Sequence, residues 1–268
     1  RNEDATITIK DGNYTQCPPG TDTWKLGAKE IHLDRESGFG SAKHATLRVS
    51  DIPVLYLPYF QFPIDNRRHT GFLYPIISYS DTEGLDLGIP YYFNIAPNID
   101  DTLTPRFLDK RGLLLENEFR YMNSFSSNSL STSYLRNDQL TDESRWLLGI
   151  QHTGQPADRW HSTINYLSVS DDDYFEDLGT KLDATEESHL NRSGSLAYYG
   201  NNWRAGFSLQ SYQTIDDNIT PYRRLPQLQI SGTPSLEPDW LSASYIFQLT
   251  EFDRDLTGLT GSNRITGS

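Results

Sequence analysis

The chain has 268 residues, a hydrophobic fraction of 36%, a mean hydropathy of −0.60 and a formal net charge of −13. It has no run of 18 or more apolar residues, which excludes a membrane-spanning helix, and its negative charge excludes a nucleic-acid partner, whose phosphates need cations. A transmembrane β-barrel stays possible, because only alternate residues of its strands face lipid.

The first 62 residues contain short alternating segments, ATITIK, KEIHL and HATLRV, separated by turn residues. They predict part of a small antiparallel β-domain with one buried face. The chain starts without a basic and apolar signal pattern, so we expect a mature or truncated piece. Cys17 is the single cysteine. It pairs with a thiol elsewhere or is an unpaired structural residue, and an oxidising compartment favours pairing.

Residues 52–64, IPVLYLPYFQFPI, carry no charge and contain Pro53, Pro58 and Pro63. Because proline disfavours helix interiors and central strands, the segment predicts a stiff, hydrophobic connector between two domains. One alternative is ordinary buried packing between the domains. The other is an exposed apolar surface that contacts lipid or another protein.

From Thr70 onward the chain repeats segments of about ten residues with alternating polarity, the length that a tilted strand needs to cross a bilayer. About eleven such segments are present, and the clearest, WLSASYIFQLTEF, has Tyr245, Phe247 and Leu249 on one face. We therefore predict an all-β fold in which residues 63–268 form the first antiparallel strands of a large transmembrane β-barrel. A soluble β-sandwich is the alternative, although its strands are usually shorter. The last residues lack an aromatic closing strand, so we expect further strands beyond Ser268.

Pro75 and Pro90 lie inside the first two predicted strands of this barrel. Proline cannot donate to a ladder, so it belongs at a sheet edge or a bulge, and the first strand of a barrel borders the closing seam. Two interpretations remain open. The prolines mark either a simple bulge or a functionally weak seam.

Candidate chemistry is sparse. The six histidines have no metal-ligand spacing, and no Gly-x-Ser-x-Gly elbow is present, so we expect no metal, no cofactor and no catalytic residue. These histidines are His32, His44, His69, His152, His161 and His189. The acidic run from Asp171 to Asp177 is either a solvated loop or a carboxylate site for a divalent cation. Ser, His and Asp are numerous enough to form a triad by chance, so a barrel enzyme stays an alternative.

Five stretches resemble the LptD family of lipopolysaccharide-assembly proteins, in the family's order. They are DGNYTQCPPGTDTW, VLYLPYFQFPI, RRHTGFLYPIISYS, IPYYFNIAPNIDDTLTPRFLDKRGLLLENEFRY and VSDDDYFEDL. The resemblance implies a periplasmic β-jellyroll followed by a very large barrel that is plugged by the lipoprotein LptE. It also implies an LptA-type periplasmic jellyroll protein as a bridge, and lipopolysaccharide that moves along the jellyroll groove and leaves through a lateral gate.

Carried over by position, residues 1–62 resemble the C-terminal part of that jellyroll with its hydrophobic connector, and residues 63–268 the N-terminal part of the barrel. Cys17 resembles the jellyroll cysteine that pairs with a cysteine near the end of the barrel, outside this chain, and Pro75 and Pro90 resemble the lateral-gate prolines. The resemblance implies insertion of lipopolysaccharide into the lipids of the Gram-negative outer membrane, with the N-terminal part periplasmic. The alternative is a passive porin or a barrel enzyme.

Overall fold

The structure is a computed structural model that describes residues 6–14, 24–49, 52–81, 83–179, 189–215, 222–234, 242–253 and 265–267. The chain divides into two compact units, Arg1–His69 and Thr70–Ser268. Both consist of antiparallel sheet, so the predicted all-β class is confirmed. Within the described ranges, no helix has the length and apolarity needed to cross a membrane.

The first unit holds one four-stranded antiparallel sheet whose strands lie in chain order. Its strands are β1 (Thr6–Tyr14), β2 (Trp24–Asp34), β3 (Phe39–Val49) and β4 (Ile52–Pro63). Ala28, Ala42 and Ala45 form its buried core, with Leu57 and Phe62 among the side chains packed against them. Alanines on the buried face let these larger side chains lie close to the sheet, as expected for a sheet with one covered face.

Residues 52–63 of the expected connector form the strand β4 of this sheet. Pro53 lies opposite Arg48 and Pro63 opposite Phe39 in the ladder with β3. Among the described residues, β4 is the last strand of its sheet and pairs on one side only. An edge strand tolerates proline, because the missing donors need not face a second neighbour. The prolines therefore indicated an edge and not a break in the sheet.

The second unit contains one antiparallel sheet with fourteen strands among the described residues. They are β5 (Gly71–Phe72), β6 (Ile76–Ser80), β7 (Gly84–Gly88), β8 (Tyr91–Ala96), β9 (Ile99–Leu108), β10 (Gly112–Met122), β11 (Ser126–Leu135), β12 (Arg145–Gly154), β13 (Trp160–Val169), β14 (His189–Tyr199), β15 (Trp203–Thr214), β16 (Arg223–Gly232), β17 (Tyr245–Asp253) and β18 (Ile265–Gly267). One short helix, α1 (Tyr174–Leu178), follows β13.

The count of about eleven segments matches the long elements of this sheet. β5 and β6 together form what we call the first arm, residues 71–80, and β7 and β8 form the second arm, residues 84–96. Two arms and the nine strands β9 to β17 make eleven within the described part of the chain, and the three-residue β18 adds a further pairing partner. Sequence alternation therefore predicted the arms, and Pro75 and Pro90 indicated where the first two are divided.

One face of the sheet, the apolar face, carries large exposed hydrophobic side chains. Register places them opposite one another across successive strands: Phe107 with Leu113, Tyr134 with Trp146, Phe207 with Leu228, and Leu228 with Leu249. An extended exposed band of this kind is unusual for a surface in water and is typical of the lipid-facing side of a transmembrane sheet.

The opposite, covered face is buried at one end of the sheet, beneath α1. Leu114 and Leu135 are fully buried neighbours on β10 and β11, and they belong to one core cluster with Tyr174 and Leu178 of α1. The polar side chains of Arg106, Glu116 and Arg145 are buried on the same face. The segment around α1 therefore lies on the sheet as a cover over both apolar and charged side chains.

Candidate functional site: the proline break and the buried ion pairs

The first two arms are interrupted at the same level by their prolines. Pro75 lies between β5 and β6, and Pro90 lies between β7 and β8. Phe72 pairs with Tyr91 on one side of the interruption and Ile76 with Gly88 on the other. We call residues 73–75 and 89–90 the proline break.

The register shows which arm is distorted at the proline break. The second arm keeps one register on β9 through Pro90, from Asp86 opposite Leu108 to Tyr91 opposite Leu103. The first arm shifts by one residue against the second arm, from Phe72 opposite Tyr91 to Ile76 opposite Gly88. The extra residue is therefore a bulge in the first arm, at residues 73–75.

Little backbone pairing remains between the arms at the proline break. The amide N–H of Leu73 donates to the carbonyl oxygen of Pro90 at 2.9 Å. Neither Pro75 nor Pro90 has an N–H to donate, and each ladder bond not made forfeits roughly 0.5–1.5 kcal/mol. Among the described residues the first arm pairs with the second arm alone, so this weak ladder is its whole attachment in the sheet.

Hydrophobic side chains of the first arm project from the proline break and its flanks. Tyr74 is 94% exposed, and Phe72, Ile77 and Tyr79 are each at least 70% exposed. The ring of Phe72 contacts Tyr91 edge-on, with centroids 4.9 Å apart. Exposed apolar groups at this density indicate a surface whose surroundings are not water.

A buried arginine lies behind the second arm. Arg106 of β9 pairs with Asp86 of the second arm at 2.9 Å, with Glu83 at 3.2 Å and with Glu116 of β10 at 3.0 Å. It also donates to the carbonyl oxygen of Gly179 at 2.7 Å. We call this group of side chains and carbonyls the Arg106 cluster.

A second set of ion pairs, the Asp138 cluster, fixes the segment around α1 at Asp171 and Asp177. Asp138 is fully buried between Arg111, at 2.7 Å, and Arg145, at 3.4 Å. The same two arginines reach Asp177 at 2.6 Å each, and Arg145 also pairs with Asp171. Buried charges need this kind of mutual compensation, because an isolated charge in a poorly solvated site is costly.

Tyr174 lies beside the Asp138 cluster, with its ring against Arg145. Its hydroxyl group hydrogen-bonds with the Ser133 hydroxyl of β11, and the Arg145 guanidinium lies 5.8 Å from the ring centroid. Burial raises the pKa of Tyr174 well above its usual value, so the hydroxyl stays protonated. In the acidic run, Asp171 and Asp177 pair with arginines, whereas Asp172, Asp173 and Glu176 are exposed. Among the described residues no group of His, Cys, Asp and Glu side chains could hold a metal ion.

A third polar group lies on the same face as the hydrophobic band, near the opposite end of the strands. The side-chain amide of Asn128 donates to the Tyr121 carbonyl at 3.1 Å, which leaves its oxygen 2.7 Å from Nδ1 of His152. Nδ1 must then carry the proton, so Nε2 accepts from the Ser162 hydroxyl at 2.8 Å. A Cβ at Gly154 would lie 2.9 Å from the imidazole, so a side chain there would displace it.

The structure brings together only some of the residues that the sequence singled out. Pro75 and Pro90 meet across the first two arms, whereas Pro53, Pro58 and Pro63 lie in the first unit. Cys17 is outside the described residues. Arg106, Arg111, Arg145 and Asp138 were not predicted from the sequence, although for Arg106 and Arg145 a charged residue in a strand-like segment was a usable signal.

Taken together, these features define a class: an all-β protein whose long antiparallel strands present an apolar face, as outer-membrane β-proteins do, and whose first arm is weakly held.

The family model described as LPS transport system D matches residues 143–266. The LPS-assembly protein LptD of Pseudomonas syringae pv. tomato is 44% identical over 265 residues, and that of Pseudomonas aeruginosa strain LESB58 is 41% identical over 264. Each alignment covers 96% of this chain.

The chain therefore belongs to the LptD family, and the recognition made from its sequence is confirmed. It spans less than a third of its relatives, covering 29% of the P. syringae protein and 28% of the P. aeruginosa protein. A solved structure of the outer membrane channel DcaP of Acinetobacter baumannii is 12% identical, with a TM-score of 0.32 over 92% of this chain and 79% of the channel. A similarity that low supports no conclusion.

Proposed function

We propose that this chain carries one side of the exit through which an LptD-type protein inserts lipopolysaccharide into the outer leaflet of the outer membrane. The observation that carries the proposal is the proline break. A lipid with a large polar head cannot cross a sealed barrel wall without exposing unpaired strand edges to hydrocarbon. A seam whose first arm already lacks ladder bonds costs less free energy to open.

The two faces of the second unit support the same proposal. The apolar face matches hydrocarbon, so acyl chains that leave at the first arm meet the exposed side chains of Phe72, Ile77 and Tyr79. The covered face carries polar and charged groups, as a lumen for sugars requires. No bond is made or broken in such a transfer, so the proposal needs no catalytic residue and no cofactor.

The remaining parts of the proposal follow from the family and concern the intact protein. The first unit is the end of a periplasmic jellyroll that receives lipopolysaccharide from an LptA-type bridge protein. The lipoprotein LptE occupies the barrel, and Cys17 forms a disulfide with a cysteine outside this chain. Non-reducing electrophoresis of the intact protein with and without Cys17→Ser tests the disulfide, and unchanged mobility would contradict it.

The test of the exit is the double substitution Pro75→Ala and Pro90→Ala in the full-length protein. Restored donors should tighten the seam and slow the appearance of lipopolysaccharide at the cell surface, with increased envelope permeability to large antibiotics. Pro105→Ala is the matched control, because Pro105 lies in β9, next to the proline break but within a continuous strand.

Barrel abundance in the outer membrane separates a closed seam from poor assembly. Slow delivery by a fully assembled double variant, with normal delivery by the Pro105→Ala protein, supports the proposal. Normal delivery by a fully assembled double variant would mean that the prolines mark only a structural bulge, and it would contradict the proposed exit at the seam.

A barrel enzyme is the second candidate, and the hydrogen-bonded Asn128, His152 and Ser162 favour it. A serine that donates to an imidazole, itself oriented by a third group, is the arrangement of a hydrolytic triad. Because an amide replaces the usual carboxylate and the relatives are LPS-assembly proteins, we rank it second. Covalent labelling of Ser162 by an alkyl fluorophosphonate, lost in His152→Ala, would support this candidate, and an unlabelled Ser162 would eliminate it.

A further inference from the structure

Arg106 of β9 links the segment from Asp171 to Gly179 to the second arm. Arg106 donates from Nη1 to the Gly179 carbonyl at 2.7 Å and from Nη2 to the Leu178 carbonyl at 3.2 Å. The same guanidinium binds Asp86 of the second arm through Nε and Nη2, at 3.3 and 2.9 Å. One planar group therefore holds the end of the segment and the second arm together.

The donors of Arg106 are fully used in this arrangement. Its five N–H groups face Asp86, Glu83, Glu116 and the two carbonyls of the segment, and its side chain is 2% exposed. Asp86 is itself completely buried. The two carbonyls lie at the end of α1, where they lack helix partners and where a cation is favourable. Loss of any partner would leave buried charge or buried carbonyls unsatisfied.

We propose that Arg106 is a positioning residue that fixes the segment 171–179 against the second arm, so that the second arm and this segment loosen together. The Asp138 cluster holds Asp171 and Asp177 of the same segment against Arg145 of β12 and Arg111 of the turn after β9. Movement of the second arm therefore has to break the Arg106 contacts or shift the segment. The functional half of this inference rests on the proposed function: the segment controls how readily the seam opens.

A comparison with Arg120 of β10 shows how Arg106 of β9 differs from an ordinary ion pair. Arg120 lies on the same face and pairs with Asp100 at 2.7 Å, but its side chain is 53% exposed. Although Asp100 is 8% exposed, the Arg120 guanidinium is largely hydrated, so its loss costs less than the loss of Arg106, which is 2% exposed among three carboxylates. Arg120→Gln is therefore a matched control for Arg106→Gln, with the same chemical change on the same face.

The test is amide hydrogen exchange of the full-length protein with its native partners in lipid nanodiscs. Arg106→Gln should accelerate exchange in residues 84–88 and 171–179 together, by roughly a hundredfold or more, since the broken pair is buried. Arg106→Lys keeps the charge but not the planar guanidinium. It should increase the exchange rate less than Arg106→Gln, and by the same factor in both segments. Arg120→Gln should change neither segment.

Three outcomes would overturn the inference. The first is faster exchange in only one of the two segments, and the second is unchanged exchange in a folded Arg106→Gln protein. If both Arg106 variants fail to assemble, the unsubstituted protein decides: the two segments should open with the same denaturant dependence, and different dependences would refute the link.

Delivery of lipopolysaccharide in cells separates this inference from the proposed function. Altered delivery by Arg106→Gln, but not by Arg120→Gln, supports control of the seam by the segment. Raised exchange with normal delivery would overturn that functional half alone. The proline-to-alanine double variant reports on the seam itself and does not touch Arg106, so the two failures are distinguishable.

Discussion

The first two arms and the strands β9 to β13 share one alternating sequence pattern but differ in how firmly they are held. β9 and β10 pair without interruption from Ile99 to Leu108, and buried leucines and ion pairs cover one end of them. The first arm consists of a two-residue and a five-residue strand separated by a bulge. Alternation thus sets which residues lie on the apolar face, while proline placement and buried charge determine how firmly each strand is held in the sheet.

Among substitutions that test this difference between the arms and strands β9 to β13, we expect the largest loss of stability at the Asp138 cluster. Asp138→Ala removes the carboxylate between Arg111 and Arg145 and leaves two buried guanidinium groups undercompensated. We expect a loss of about 3–5 kcal/mol in the free energy of unfolding, seen as a lower denaturation midpoint of the assembled barrel. The control is Asp158→Ala, whose side chain is 94% exposed and 3.8 Å from Arg159. Equal midpoints for the two variants would contradict the assigned role of the cluster.

A somewhat smaller effect is expected from the leucines beneath α1. Leu135 is fully buried against Leu114, so Leu135→Ala should lower the free energy of unfolding by about 2–5 kcal/mol through lost burial and a cavity. Leu140→Ala, at a 57% exposed position of the following loop, should leave the midpoint nearly unchanged. An unchanged denaturation midpoint in Leu135→Ala would mean that packing of the α1 segment on β10 and β11 does not stabilise these strands.

The smallest effect concerns Asp65, after β4. A hydrogen bond with His69, followed by those with Arg67, lowers the pKa of Asp65 to about 2. The folded carboxylate is therefore favoured above its ordinary pKa of 3.8, and that stabilisation is lost as the pH falls from 3.8 towards 2. Pepsin should cleave residues 64–69 increasingly fast as the pH falls over this window. In Asp65→Asn, which lacks the carboxylate, the cleavage rate should not show this additional rise. Parallel profiles for both proteins would show that the contact contributes nothing.

The sequence predicted what depends on local pattern. Alternation around Phe247 and Leu249 placed them on one face, and β17 sets them opposite Ile230 and Leu228. Pro75 and Pro90 were expected to interrupt pairing, and both lie between short strands.

What the sequence missed depends on distant contacts. Asp171 and Asp177 lie 26 and 32 residues from Arg145, and only the register of β12 and β13 brings them together. The pairing of the proline-rich β4 with β3 was missed for a related reason, because a sequence does not show whether a strand has one neighbour or two.

The most direct test of the central claim is photocrosslinking during transport in living cells. A benzoyl-phenylalanine at Tyr74, beside Pro75 and 94% exposed, should crosslink to lipopolysaccharide only while transport is active. The same probe at Tyr134, exposed on the apolar face of β11, should form no transport-dependent crosslink. Crosslinks at both positions, or at neither in a fully assembled protein, would contradict an exit at the proline break.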